Sequence, residues 1–310
     1  MEDFKNRFLR GSRTWTDILP LTLLLGYLWM FVGTIFTTML KGDTWGYLFS
    51  GDPDTVAFMG VYANFTGICV VTIVMAIIFK GNRPMLKELV PDKKSKIISG
   101  SLVGLAVGFA LNSVNVVASI MTGDLKLVFG SIEPKVLIGF FIFVMFQSGA
   151  EELVNRFYIY QKLRRRYKNP AVAVIGNAAF FLFLHRGNSN INIASLAEVF
   201  LWGVLFSLII LYFDNLWACI AIHTAWNFTQ NILYGLPNSG RVSNYSVYRI
   251  DAASDGFFFD TGFGVEGSWG AVIVISIVIA VLIIMYKGKE KNDLWEGWVD
   301  PEKIKRETVV

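Results

Sequence analysis

The stretch VLIGFFIFVMFQSGAEELVNRFYIYQK, residues Val136 to Lys162, runs apolar through Phe146 and then takes in Glu151, Glu152 and Arg156. A hydrocarbon core of about 30 Å is crossed by roughly 20 helical residues rising about 1.5 Å each. The stretch is long enough to span a bilayer, yet it carries ionisable groups that a bilayer penalises by several kcal/mol unless they are paired or hydrated. Working outward, seven further apolar segments meet or approach the same length: Ile18–Leu40, Val56–Phe79, Ile97–Met121, Pro170–His185, Ile191–Phe213, Leu216–Leu233 and Trp269–Met285. The expected fold is an all-α, polytopic membrane bundle of about eight helices. Hydrophobic residues make up 54% of the 310 and charged residues 17%. Soluble domains carry about a quarter charged residues, so disorder, a disulfide-stapled secreted module and a basic nucleic-acid-binding protein are excluded.

Charge placement sets the orientation. With the N-terminal side taken as inside, residues 1–17, 80–96, 152–170 and 286–310 hold four, six, six and six of the 28 Lys and Arg. The alternate segments 41–55, 122–135, 185–190 and 234–268 hold one, two, one and two. The positive-inside rule then puts both termini in the cytoplasm, consistent with an even number of spans. No cleavable signal is expected in the polar stretch 1–17. The expected organisation is a cytoplasmic N-terminal segment (1–17), one membrane domain (18–285) and a cytoplasmic tail (286–310). The outer segment 234–268, rich in Gly, Asn, Ser and aromatics, shows neither helical nor strand periodicity. It reads equally as a disordered loop, a cap or a re-entrant hairpin. Gly100, Gly104 and Gly108, four apart, form a ridge on which another helix backbone can settle closely. Cys69 and Cys219 lie in apolar runs and read as buried structural thiols.

Few polar groups fall inside the spans: Glu151, Glu152, Arg156, His185, Glu198 and His223, with Asn227 as an uncharged companion. Both histidines of the chain are among them. Glu152 and Arg156, four apart, share a helix face with the acid in the favourable N-terminal position. Their plain reading is a buried ion pair that fixes helix register. Glu151 sits about 100° round the helix and is free to face a cavity. His185 and His223 read equally as interhelical hydrogen bonds or as functional groups, Asn227 as interhelical glue, and Phe181 as core packing. Glu198 is expected near the outer boundary, hydrated or paired with Arg186.

Glu151-Glu152-Leu-Val-Asn-Arg156 fits an EExxxR motif, Phe181-Leu-Phe-Leu-His185 fits FxxxH, and His223-Thr-Ala-Trp-Asn227 fits HxxxN. In that order, on three spans within residues 136–233, they resemble the CPBP family of CAAX prenyl endopeptidases and bacteriocin-processing or immunity proteins. Phe157 stands where many members have Gly after the motif arginine. The Arg186–Asn190 connection is compact beside the access loop that some members carry there.

The resemblance implies a glutamate-dependent intramembrane endopeptidase in the membrane of a prokaryotic cell. Its partners would be membrane lipid, a peptide or membrane-protein substrate and in some cases a membrane-protein partner, with no nucleic acid. Glu151 with His185 would activate water, and His223 with Asn227 would stabilise the oxyanion. Glu152, Arg156 and Phe181 would support them. No cofactor is required by this scheme, although Glu151, His185 and His223 together also form a ligand set known for catalytic zinc. Cys219, four residues before His223, is a weaker nucleophile candidate. Two further readings are a non-catalytic immunity or regulatory protein of the same fold and a proton-coupled transporter using Glu151 and the histidines as a relay.

Overall fold

The protein is described here from a computed structural model, which covers residues 8–10, 13–290, 294–296 and 298. Most of the N-terminal segment and of the tail expected beyond residue 286 lies outside the described residues. The described chain is a helical bundle with one small sheet, as the apolar runs imply. In order it forms α1 (Leu19–Met39), α2 (Pro53–Ala63), α3 (Thr66–Ile78) and α4 (Ser95–Thr122). Strand β1 (Leu125–Phe129) leads into α5 (Pro134–Glu152), which continues through π-helical turns at Leu153–Tyr160 into α6 (Gln161–Arg166). Then come α7 (Pro170–His185), α8 (Ile193–Phe213) and α9 (Leu216–Phe228), the last extended by π-helical turns at Thr229–Leu233. Strand β2 (Tyr248–Ala253) and α10 (Trp269–Tyr286) complete the order.

Six helical segments among the described residues are long and apolar enough to cross a membrane, which makes this a multi-pass membrane protein. The expected span Val56–Phe79 is interrupted between α2 and α3, which together reach spanning length as Pro53–Ile78, and two other expected spans are short as regular α-helices. The first is α7, with 16 residues, and the second is α9, with 13. They are the helices that carry FxxxH and HxxxN. The side chains from Cys219 to Asn227 are all buried, so α9 is surrounded by protein.

Local chemistry explains where the site-bearing helices begin. Pro170 starts α7 with the fixed φ of a first helical residue, and Asn169 Oδ1 accepts from Ala171 N at 2.9 Å. Asn192 caps α8 reciprocally with Ser195, and Asn215 Oδ1 accepts from Ala218 N at 3.1 Å to open α9. Each cap satisfies one of the amide groups that a helix start leaves without a partner.

The glycine ridge of α4 packs on α9. A Cβ at Gly104 would lie 2.7 Å from Ala221 Cβ and 2.8 Å from the Ala218 carbonyl oxygen, and one at Gly108 would collide with the Ile222 carbonyl oxygen. Gly108→Ala is therefore expected to destabilise the protein by about 1–3 kcal/mol through overpacking. Thermal melts in detergent would show it, with Gly51→Ala, which meets nothing within 4 Å, as the unaffected control.

The outer segment departs from its aperiodic sequence. Its β2 strand pairs antiparallel with β1, with Leu127 opposite Ile250 and a bulge between Lys126 and Leu127. Segment 234–268 folds against the bundle at the end where α9 runs into its π-helical turns. Asn231 Nδ2 donates to the Leu236 and Arg241 carbonyls at 2.8 and 3.0 Å, and Gln230 Nε2 donates to the Pro237 carbonyl at 2.5 Å. At the opposite end, Asp17 is fully buried against Arg165, which donates from Nε and Nη2 at 2.7 and 2.6 Å, with Lys162 Nζ 3.2 Å away. Burial pushes the Asp17 carboxyl up, and the two cations more than reverse this and hold it below the usual carboxylate range.

Candidate active site

The polar residues of the three motifs converge. The π-helical turns begin directly after Glu152, and a widened turn of this kind leaves backbone groups to be satisfied from elsewhere. Asn155 Nδ2 donates to the Glu151 carbonyl at 2.8 Å, and Asn177 Nδ2 from α7 donates to the Asn155 carbonyl at 2.6 Å. The same amides thus hold the end of α5 against α7.

Glu152 and Arg156 form the fully buried pair expected from their spacing, Nη1 to Oε1 3.1 Å. Arg156 Cζ also lies 4.7 Å from the Phe181 ring centroid and 4.9 Å from that of Phe206. The pair is not isolated, because Glu152 Oε1 is 2.9 Å from His223 Nδ1. The His223 ring stacks on Phe206 at 5.5 Å between centroids, with 25° between planes. Carboxylate and phenyl ring together fix the imidazole, leaving Nε2 pointing toward Glu151. His185 is held similarly, its Nδ1 2.8 Å from the Phe181 carbonyl and its ring 4.5 Å from the Phe181 ring. A carbonyl only accepts, so Nδ1 carries the proton and donates, and Nε2 is left to face the cavity.

Glu151 Oε2 lies 3.8 Å from His185 Nε2 and 3.8 Å from His223 Nε2. Those separations exceed hydrogen-bond reach, and this buried oxygen has no hydrogen-bond donor within the described protein. Its partner Oε1 accepts from Gln147 Nε2 at 2.6 Å. Asn227 Nδ2 donates to Gln147 Oε1 at 2.9 Å, which brings the HxxxN carboxamide to the same group.

Two cavities meet here. A larger one of about 230 Å³ reaches Glu151, Gln147 and His185 past an apolar wall that includes Met30, Phe58 and Phe65. A smaller one of about 30 Å³ touches His223, Asn227, Glu198 and Glu266. His185 and Ser239 line both.

Several lining residues escaped the sequence reading. Gln147 is a polar residue four before Glu151 in an apolar run, a signal that was available. Asn238, Ser239 and Glu266 come from the outer segment, where nothing in the pattern marked them. Glu198 is not at a hydrated boundary and does not pair with Arg186. It is buried, with Trp202 Nε1 donating to Oε1 at 2.5 Å, because it shares the inward face of α8 with Trp202. Arg186 instead stacks 4.0 Å over the Phe183 ring. Cys219 is fully buried, its Sγ 3.5 Å from the Phe206 carbonyl, and lines neither cavity. Among the described residues no group of three His, Cys, Asp or Glu side chains is close enough together to hold a metal ion.

Residues 133–229 match the family model Rce1-like, described as type II CAAX prenyl endopeptidase Rce1-like. This segment matches the CAAX prenyl protease family. The CAAX protease match spans α5 to the first π turn of α9, and so contains all three motifs. It supports a CAAX-type intramembrane protease, with membrane lipid around it and a protein or peptide as substrate. No curated protein matches the chain at the significance required.

Proposed function

We propose that the chain is a glutamate-dependent intramembrane endopeptidase of a prokaryotic cell membrane, hydrolysing a peptide bond in a membrane-associated peptide or protein. The observation that carries this reading is the single buried oxygen, Glu151 Oε2, facing two imidazole nitrogens at equal distance. A water oxygen within about 3 Å of all three atoms fits that geometry. Glu151 takes a proton from the water as its oxygen attacks the scissile carbonyl carbon, and His185 Nε2 orients the water. The Glu151 proton then passes to the leaving nitrogen as the C–N bond breaks, giving a carboxylic acid and an amine, and the acid's proton moves to the amine to leave a carboxylate and an ammonium.

Charge developing on the carbonyl oxygen meets Asn227 and His223. Asn227 Nδ2 spends one hydrogen on Gln147 and keeps the second for the oxyanion. His223 donates from Nε2 when the ring carries both protons, its Nδ1 being held by Glu152. Such donors act strongly in a water-poor site because they are already oriented before the reaction. Asn227→Ala is accordingly expected to lower kcat by about 10²–10³-fold, with a smaller change in KM, in steady-state cleavage assays.

The test uses the full chain in lipid vesicles with apolar membrane peptides, in water enriched in oxygen-18. One heavy oxygen in each newly formed C-terminus, seen by mass spectrometry and absent with Glu151→Gln, supports the proposal. Identical peptide profiles for the two proteins overturn it. Proton-driven uptake lost in the variant, with no cleavage by either, would mark a transporter.

A further inference from the structure

The outer segment lies outside the residues that match the family, yet two of its side chains are wired to the catalytic carboxylate. Asn238 Nδ2 donates to Asn227 Oδ1 at 3.2 Å and to Glu266 Oε1 at 2.9 Å. Asn227 donates to Gln147 at 2.9 Å, and Gln147 donates to Glu151 at 2.6 Å. We infer that Asn238, anchored by Glu266, is a positioning residue that sets the orientation of the Asn227 and Gln147 amides and, through them, of Glu151. The inference rests on the endopeptidase reading above and adds the outer segment to its working parts.

From Asn238 inward every bond runs the same way. The oxygens of Asn227 and Gln147 accept from the Asn238 side and the nitrogens of Asn238, Asn227 and Gln147 donate toward Glu151, while Asn238 uses its other hydrogen outward on Glu266. Asn238 spends both N–H hydrogens, one on each partner, and its anchor is rigid. Glu266 is buried and is held by neutral donors: Trp226 Nε1 at 2.8 Å, Ser239 N at 2.8 Å and Asn238 itself. Burial pushes the Glu266 carboxyl up. Holding a buried carboxyl on neutral donors is costly for stability. The backbone frames it too. Asn238 N and Arg241 N exchange hydrogen bonds with each other's carbonyls at 2.8 and 3.0 Å. Ser239 and Gly240 take positive φ of 50° and 79° in that turn.

The chemical consequence lies at Asn227. An amide whose oxygen is unheld can rotate, and rotation would exchange its oxygen and nitrogen, pointing an acceptor at the developing oxyanion. Asn238 prevents this by donating to Oδ1. The same register holds Gln147 with its nitrogen toward Glu151.

The experiment is steady-state cleavage by the full chain in vesicles with Asn238→Ala, Asn238→Asp, Gln147→Ala and the double variant Asn238→Ala with Gln147→Ala. Asn238→Ala is expected to lower kcat about ten- to a hundredfold while KM stays within about twofold, as misorientation at the chemistry does. The double variant is expected to be no slower than the slower single, since both changes break one chain. Asn238→Asp keeps the size of the side chain and the turn but removes the donor. It is expected to show the same kcat loss, and so decides the matter if the alanine variant does not fold. Asp255→Asn, in the same outer segment, is the control with unchanged kinetics. A change confined to KM, or single effects that multiply in the double variant, overturns the inference. Loss of cleavage in Glu151→Gln together with wild-type kinetics in the Asn238 variants sinks this inference alone and leaves the endopeptidase standing.

Discussion

Glu151→Gln is expected to reduce kcat for peptide cleavage by at least about a thousandfold, with the fold retained. General base catalysis alone contributes about 10²–10⁴-fold, and the amide that replaces the carboxylate cannot accept the water proton. The substitution is nearly isosteric. Gln147 Nε2 still finds an oxygen to donate to, and no buried charge loses a partner within hydrogen-bond range. The melting temperature in detergent should therefore match the wild type while product formation vanishes. Retained cleavage in a folded variant would remove Glu151 from the role of base. A peptide bound but uncut by this variant would also give KM-like affinity separately from turnover.

Arg156→Met carries the largest expected effect on stability. Arg156 and Glu152 are both fully buried and lie 3.1 Å apart, and removing one partner of such a pair costs about 3–5 kcal/mol because the other is left uncompensated. Methionine fills much of the aliphatic volume but loses the stacking on Phe181 and Phe206 and the contact of Nη2 with the Gly203 carbonyl at 3.4 Å. Glu152 would then depend on His223 alone, so activity should fall together with the thermal midpoint. The combined variant Glu152→Gln with Arg156→Met should melt higher than Arg156→Met by itself, because the stranded charge is gone. Equal midpoints for the two would contradict the ion-pair account. In the wild type one atom, Glu152 Oε1, is shared between the guanidinium and the imidazole.

How far the sequence reached depends on the range over which each signal acts. Long apolar runs announce helices because burial along a rod is a local pattern, and α4, α7 and α8 fall within two residues of the expected bounds. The EExxxR, FxxxH and HxxxN spacings placed their polar ends on single helix faces, and the folded bundle brings them together. The π-helical turns after Glu152, joined to α7 through Asn155 and Asn177, are a feature that periodicity does not report. The strand pairing was invisible for another reason. Residues 125–129 and 248–253 are each too short to show a period and lie more than a hundred residues apart. Asn238 and Glu266 are ordinary loop residues by composition, and their importance comes only from the tertiary contact with Asn227. Glu198 was misplaced because distance along the chain to Arg186 says nothing about which face of α8 turns inward.

The glycine ridge of α4 bears on how this protein can be divided. Residues 133–229 carry every motif side chain, but the helix that presents His223 and Asn227 leans on Gly100, Gly104 and Gly108, which stand well upstream of them. A fragment trimmed to the recognisable segment would lack the helix against which α9 is packed. Heredity at Gly104 and Gly108 should therefore be strict for a reason that involves no chemistry at all: any added carbon there meets α9 at less than 3.0 Å.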